Sequence, residues 1–522
     1  MNHCFAQSAA WCASPRPDRR SDRRGTILIV VMIIAMAAIL VVAGLLAVIG
    51  SEAASRAAGR RDSDARVMAS SAISVVGDLL DARRAGILDG HALEAPDARI
   101  ELSADGGRVW VLRLLPVGPG GEVMVSENGR LDLNAVDASA LVATGFVDEE
   151  VAAAIIAERM RRGVFHSVEA LYGVPGVTPE MMEGEEPSED FAAQASGEEA
   201  DLRSRILERL GEAQPRGLAD VVTVHASEPA LQRNGLRRIG LNRPWTPELG
   251  ERLDERFGEG TGEVVRGLMQ QGQQFSDDRS IVSVLRRFSV SETEWAPILD
   301  ALTGREGDEI TGRLDINTAS SAALIGLGLT TEQAETIVSV RSSLSDDERW
   351  TVTWPLVRGI LDGEEMEAMI DRLTVRSWCY RLRLAVLEVD AADDTRIYAG
   401  PVVFDVVYDL VDPLVRVAAL REVTHLPLAR VLAGVLFPDE GGDFAAPDEA
   451  EEMPPANGDD MFSADGTLAP LPSFGDAPAA GGFTPFDALP DASRASDPSD
   501  ADDAEISASS AASRRLGRWR RP

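Results

Sequence analysis

Between Arg24 and Glu52 the chain carries no charged residue, and from Ile27 to Gly50 it consists of Ile, Leu, Val, Met, Ala and Gly alone. At about 1.5 Å rise per residue, a helix of that length crosses the ~30 Å hydrocarbon core of a bilayer. Residues 26–50 are therefore expected to be a membrane helix. Residues 1–25 carry Arg16, Arg19, Arg20, Arg23 and Arg24 against Asp18 and Asp22, an excess that holds them in the cytoplasm and sends the rest of the chain across. A plain signal anchor and a cleaved secretory signal are the simplest forms of such a stretch. Against the second, the apolar run is longer than a usual signal core, and Arg-Arg-Gly stands before it where a small-residue cleavage site belongs after it.

The helical pattern continues beyond Gly50. Ala65, Ala69, Ala72, Ile73, Val76 and Leu80 recur at three- and four-residue steps, with charged side chains on the other faces, which predicts one long helix to about Asp81. Strands are expected at 99–104 and 108–115 around the turn Asp105-Gly106-Gly107, and again near 122–125. Strand patterns return at 376–389, 397–408 and 414–423. The expected fold class is α+β, a long N-terminal helix packed on an antiparallel β-sheet. Residues 51–126 supply the soluble part of the helix and the first strands, and residues 374–437 return the rest. Residues 127–373 form an inserted all-α domain.

That insertion holds an internal repeat. Gly129-Arg130-Leu131-Asp132-Leu133-Asn134 recurs as Gly312-Arg313-Leu314-Asp315-Ile316-Asn317, and the match runs on through 129–160 and 312–343, each leading into a helix. Asn134 and Asn317 are expected to cap or turn the chain. Short helices joined by glycine turns resemble helix-hairpin-helix units, whose turn amides, here at Gly326-Leu327-Gly328, could hold DNA phosphates. Residues 182–201 are an acidic linker, and Thr246 to Phe257 is a capped helix with Pro247 in its first turn. Gly258-Glu259-Gly260-Thr261-Gly262 follows a helix, so it is a turn and not a dinucleotide fingerprint. Residues 438–522 are too poor in apolar surface to fold, a disordered acidic tail with a basic end at Arg514 to Arg521.

Composition narrows the chemistry. The formal net charge is −34, which disfavours nucleic acid as a partner. All 51 basic residues are arginine, which removes lysine-dependent chemistry such as a P-loop or a Schiff base. Cys4 and Cys12 precede the membrane stretch, leaving Cys379 alone after it. His3, His91, His166, His225 and His425 are scattered, and neither a nucleophile motif nor a zinc motif is present, so no enzyme is expected. The acids Asp390, Asp393 and Asp394, and Asp405, Asp409 and Asp412, form no EF-hand loop and are read as solvated.

Taken together, the basic leader with Arg23-Arg24-Gly25, the apolar helix directly behind it, the sheet, the Asn317-Thr318-Ala319-Ser320 repeat and Trp350-Thr351-Val352-Thr353-Trp354-Pro355-Leu356 resemble the minor pseudopilin K family of type II secretion systems, which are type IV pilin-like proteins. The resemblance covers about 23–424. It implies cleavage after Gly25 by a prepilin peptidase, methylation of the new N-terminal Thr26, and a place in the inner membrane with the soluble domain in the periplasm. The implied partners are other minor pseudopilins, the major pseudopilin and the inner-membrane assembly platform. Calcium is possible by that resemblance only, and no cofactor is required. Thr26 departs from the Phe or Met usual in the superfamily, and Val30 stands where most members have glutamate at the fifth mature position. A buried carboxylate without a neighbouring subunit's amino terminus costs several kcal/mol. An apolar Val30 therefore suits a subunit at the tip, one that caps the fibre and starts its assembly for protein export across the outer membrane. The alternatives are a membrane-anchored helix-hairpin-helix receptor for DNA uptake and a minor pilin of a related type IV pilus.

Overall fold

In a computed structural model, residues 23–184, 214–394 and 396–425 are described. Most of the expected leader, most of the 182–201 linker, and the tail beyond His425 lie outside the described residues.

Helix α1 runs from Arg23 to Arg83. No proline falls between Pro17 and Pro96, so nothing in that span removes a backbone donor or forces a kink. The chain divides within α1 into two compact units, between Val67 and Met68. In the second unit, Ala69, Ala72, Val76 and Leu80 form the buried face of α1, packed with Leu112, Leu384, Val406 and Tyr408 of a sheet. The small alanines let helix and sheet approach closely, and the Tyr408 hydroxyl donates to the Ile73 carbonyl at 2.9 Å. Burying Val76 and Leu80 contributes roughly 1.5–3 kcal/mol each.

The sheet is antiparallel and six-stranded. Its strands are β1 (Arg99–Asp105), β2 (Arg108–Leu115), β3 (Met124–Ser126), β12 (Cys379–Asp390), β13 (Ile397–Asp409) and β14 (Arg416–Glu422). They lie in the order β1-β2-β12-β13-β14, with β3 also paired to β12. The turn between β1 and β2 is Gly106-Gly107, with φ of 54° and 85°, the positive values that a tight hairpin matching strand twist demands. Strand β12 takes β2 along Arg383 to Asp390 and β3 along Tyr380 to Leu382. One strand from the far side of the helical region thus bridges two from the near side. The face away from α1 buries Val109, Val111, Ala385, Leu387 and Val403.

The region between β3 and β12 is not all-α, contrary to expectation. Among its described residues are four short two-stranded ladders: β4 (Leu131–Asp132) with β5 (Val222–Thr223), β6 (Ser227–Pro229) with β9 (Glu309–Thr311), β7 (Ile239–Gly240) with β8 (Leu302–Thr303), and β10 (Leu314–Asp315) with β11 (Leu373–Thr374). Strands of two or three residues have no periodicity to read, so no pattern in the sequence marks them.

Three of these ladders are parallel and share one register, with Asp132 opposite Thr223, Gly240 opposite Thr303 and Asp315 opposite Thr374. Between the strands of each lies a run of short helices. The repeat is therefore threefold, spanning 131–223, 239–303 and 314–374, where only its first and third members are evident from sequence. The middle member reads Arg238-Ile239-Gly240-Leu241-Asn242. Gly240 replaces the aspartate, and one extra residue precedes the helix cap, which hides the kinship. A single apolar core, from Leu131 through Leu249, Trp295 and Leu324 to Val375, runs through all three.

Candidate functional site

Every large apolar side chain of α1 from Ile29 to Ile49 is exposed, Val30 by 50%. This helix is long and apolar enough to cross a membrane. Gly25 and Thr26 lie in its first turn, and the Thr26 side chain falls outside what is described.

The chain enters and leaves the helical region through a neck built from Glu127, Asn128, Asp315 and Ser377. The Asn128 side-chain oxygen accepts from the backbone N–H groups of Trp378 and Cys379 at 2.9 and 3.1 Å, while its amide nitrogen donates to Ser227. Glu127 is wholly buried and accepts from Arg381 Nε of β12 at 2.7 Å, from Arg130 Nη1 at 3.4 Å and from the Thr223 hydroxyl. One carboxylate thereby joins the sheet to the closing strand of the first repeat and to the residue that precedes its opening strand. Burial pushes its pKa up, but Arg381 and Arg130 outweigh that and hold it at about 2.

A carboxylate with a depressed folded pKa contributes stability above its unfolded value of about 4.5, and that stability is lost as pH falls towards 2. The shift corresponds to roughly 3 kcal/mol. Asp132 has the opposite sign. Burial raises its pKa to about 6, so its contribution declines as pH rises from about 4 to 6. Thermal unfolding measured between pH 2 and 5 should show a steep acid limb that flattens in Glu127→Gln. Equal slopes for the two proteins would refute the role given to Glu127.

A second set of buried charges runs between the middle and third repeats. Arg313 donates from Nη1 to Glu228 at 3.0 Å and from Nη2 to Asp278, all three side chains being buried. Thr374 donates to Glu228 at 2.5 Å and Thr303 to Asp278 at 2.8 Å. With Thr223 on Glu127, each repeat thus places the threonine of its closing strand on a buried carboxylate.

Asn134 and Asn317 lie in the turns that follow the opening strands, as expected of turn residues, but they are not helix caps. The helix caps are Asp137 and Ser320, and the turns are held by Asp132 and Asp315, which accept the backbone N–H groups of Asn134 and Asn317 at 2.8 and 2.9 Å. The two amides act as long-range clasps. Asn134 accepts from the Phe165 N–H at 2.8 Å and donates to the Phe165 carbonyl at 3.0 Å. Asn317 donates to the Arg349 carbonyl at 3.0 Å and accepts from Trp354 Nε1 at 3.1 Å. Local preference cannot reveal such partners.

The turn amides considered for phosphate binding are already taken. Gly328 N–H donates to the Ile325 carbonyl, Leu329 N–H to the Leu324 carbonyl and Thr330 N–H to the Gln333 side chain. Gly326 has no Cβ because Leu131, Ala140 and Thr144 occupy that space, so it serves the packing of the first repeat on the third.

The two acidic groups are not simply solvated. Asp394 pairs with Arg99 and Arg113, Asp405 with Arg383, and Asp409 and Asp412 with Arg416. Asp390 accepts from the Tyr398 hydroxyl. Among the described residues, no group of three or more His, Cys, Asp or Glu is placed to hold a metal ion.

No protein-family model, curated protein or solved structure matches the chain. The middle repeat, unnoticed from sequence, adds Asn242, Trp245 and Phe275 to the residues of interest. The Arg-Ile-x-Leu-Asn spacing is the signal that could have found it.

Proposed function

We propose that this chain is a minor pseudopilin of a type II secretion system, an assembly subunit that caps the pseudopilus tip and initiates its growth. One observation carries the proposal. A single helix, Arg23–Arg83, bares an uncharged apolar surface from Ile29 to Ile49 and, from Met68 onward, packs on an antiparallel sheet whose strands flank a large helical region. In a growing fibre the bare half would leave lipid for a bundle of like helices, where dispersion and close packing replace acyl chains at little cost. The helical region, too large to lie within that bundle, would block addition of a further subunit above. Val30 fits this place, because a tip subunit has no neighbour whose amino terminus could neutralise a glutamate there.

Processing is the test. Made together with a prepilin peptidase, the protein should lose residues 1–25 and carry a methylated Thr26 amine; made without it, the leader should stay. Mass spectrometry that finds an intact leader in both preparations would sink the proposal. As a second arm, Val30→Glu should be processed normally yet lose its crosslinks to the other minor subunits. Unchanged crosslinks would count against the tip position.

A further inference from the structure

The three repeats differ at one place. In the first and third, the Asn134 and Asn317 amides close onto the main chain that follows the second helix. At the same place in the middle repeat a cleft of about 770 Å³ opens, lined by Asn242 and Phe275. Two differences in sequence keep it open. Gly240 stands where Asp132 and Asp315 tether the asparagine in the other repeats. Pro244 and Trp245 also lengthen the step from the asparagine to the helix cap, Asn242 to Thr246 against Asn134 to Asp137. Trp245, Met269 and Phe275 line the cleft with apolar surface; Arg243 stands with Glu306 among its polar groups, and Arg266, which also pairs with Glu263 at 3.2 Å, completes them.

The chemistry of an occupant follows from the closed repeats. There the amide donates to a main-chain carbonyl and, in the first repeat, also accepts from a main-chain N–H; Asn242 offers the same two groups to an incoming segment in extended form. Around it the cleft asks for aromatic side chains and an acid.

We propose that the cleft is a peptide-binding site whose occupant is this chain's own segment 483–489, Phe-Thr-Pro-Phe-Asp-Ala-Leu. Residues 438–493 contain many acids and no Arg, Lys or His, so they complement Arg243 and Arg266. Pro485 favours extended backbone, Phe483 and Phe486 match Trp245 and Phe275, and Asp487 supplies the acid. The 58 residues from His425 to Phe483 can span at most about 190 Å, so length does not limit the reach. Tethering supplies an effective concentration of order mM, enough for a contact of modest intrinsic affinity.

The test uses the full chain in detergent micelles with a photoreactive benzoylphenylalanine replacing Gln273. Irradiation should join position 273 to a peptide from 474–491 of the same chain. Phe483→Ser/Phe486→Ser should cut that yield at least tenfold, and a synthetic 480–491 peptide added at mM concentration should compete with it. Because the substituted residues lie outside the described fold, an unchanged circular dichroism melt controls for folding. An undiminished yield in the double variant, or crosslinks only to another segment or to a second molecule, would overturn the proposal.

Discussion

Arg313→Met is expected to destabilise the helical region by roughly 3–5 kcal/mol, since it strands Glu228 and Asp278 in the interior without their shared cation. Methionine keeps most of the stem's packing, so the loss reports charge and hydrogen bonding and not a cavity. Thr374, Thr303 and the Gly304 N–H satisfy only part of the two carboxylates. For a region of this size such a loss lowers the melting temperature by about 10 °C or more. The near-ultraviolet circular dichroism of Trp295 and Trp354, both buried in this region, would register it. Neutralising the two acids together with the arginine, as Glu228→Gln/Asp278→Asn/Arg313→Met, should recover part of the loss. A single variant that melts within 2 °C of the parent would mean that the charges are solvated.

Gly304→Ala should be at least as damaging. Gly304 follows Thr303 of β8 where the main chain of Asp277 crosses it, and an added Cβ would lie well inside van der Waals contact of the Asp277 backbone. Backbone cannot swing aside as a side chain can. Asp277 also caps the helix Asp278–Arg287, and the Gly304 N–H donates to Asp278 at 2.8 Å. Relieving the clash would therefore displace the helix start and loosen Asp278 from Arg313. A loss of about 4 kcal/mol or more is expected, a size associated with few mechanisms besides backbone strain and core disruption. Gly267 provides the control, because it lies inside a helix with nothing within 4 Å of its Cβ position. Gly267→Ala should be neutral or stabilising by up to about 1 kcal/mol. Parallel melts that rank the two alanines equally would refute the steric argument.

These residues also mark what sequence reasoning reaches. The strands β1, β2, β12, β13 and β14 and the turn at Gly106 were legible, because alternation and turn chemistry are local properties of a few adjacent residues. The buried stripe at Ala69, Ala72, Val76 and Leu80 was legible for the same reason. The middle repeat was not, since Gly240 erases the most recognisable residue of the motif and Pro244 shifts the spacing. Nor were the side-chain clasps of Asn134 and Asn317 or the pairing of Glu127 with Thr223 and Arg381, whose partners lie 31 to 254 positions away. The acids at 390–412 looked solvated because their arginine partners mostly sit on other strands or other parts of the sheet. In a chain without lysine the planar guanidinium performs all of this pairing, and its fork of donors lets Arg313 and Arg381 serve buried carboxylates that a single ammonium would satisfy less well.

The bridging position of β12 sets an order of events during synthesis. Arg383 lies opposite Leu115 and Leu382 opposite Met124, so the sheet cannot close until some 250 intervening residues have been made. The three repeats, whose core comes from nearby chain, can condense first. Until Cys379 and its successors arrive, the alanine stripe of α1 has only a hairpin to cover it. The helix made first is therefore among the last elements of this unit to be covered, and its alanine stripe waits on strands that lie some 300 residues further along the chain.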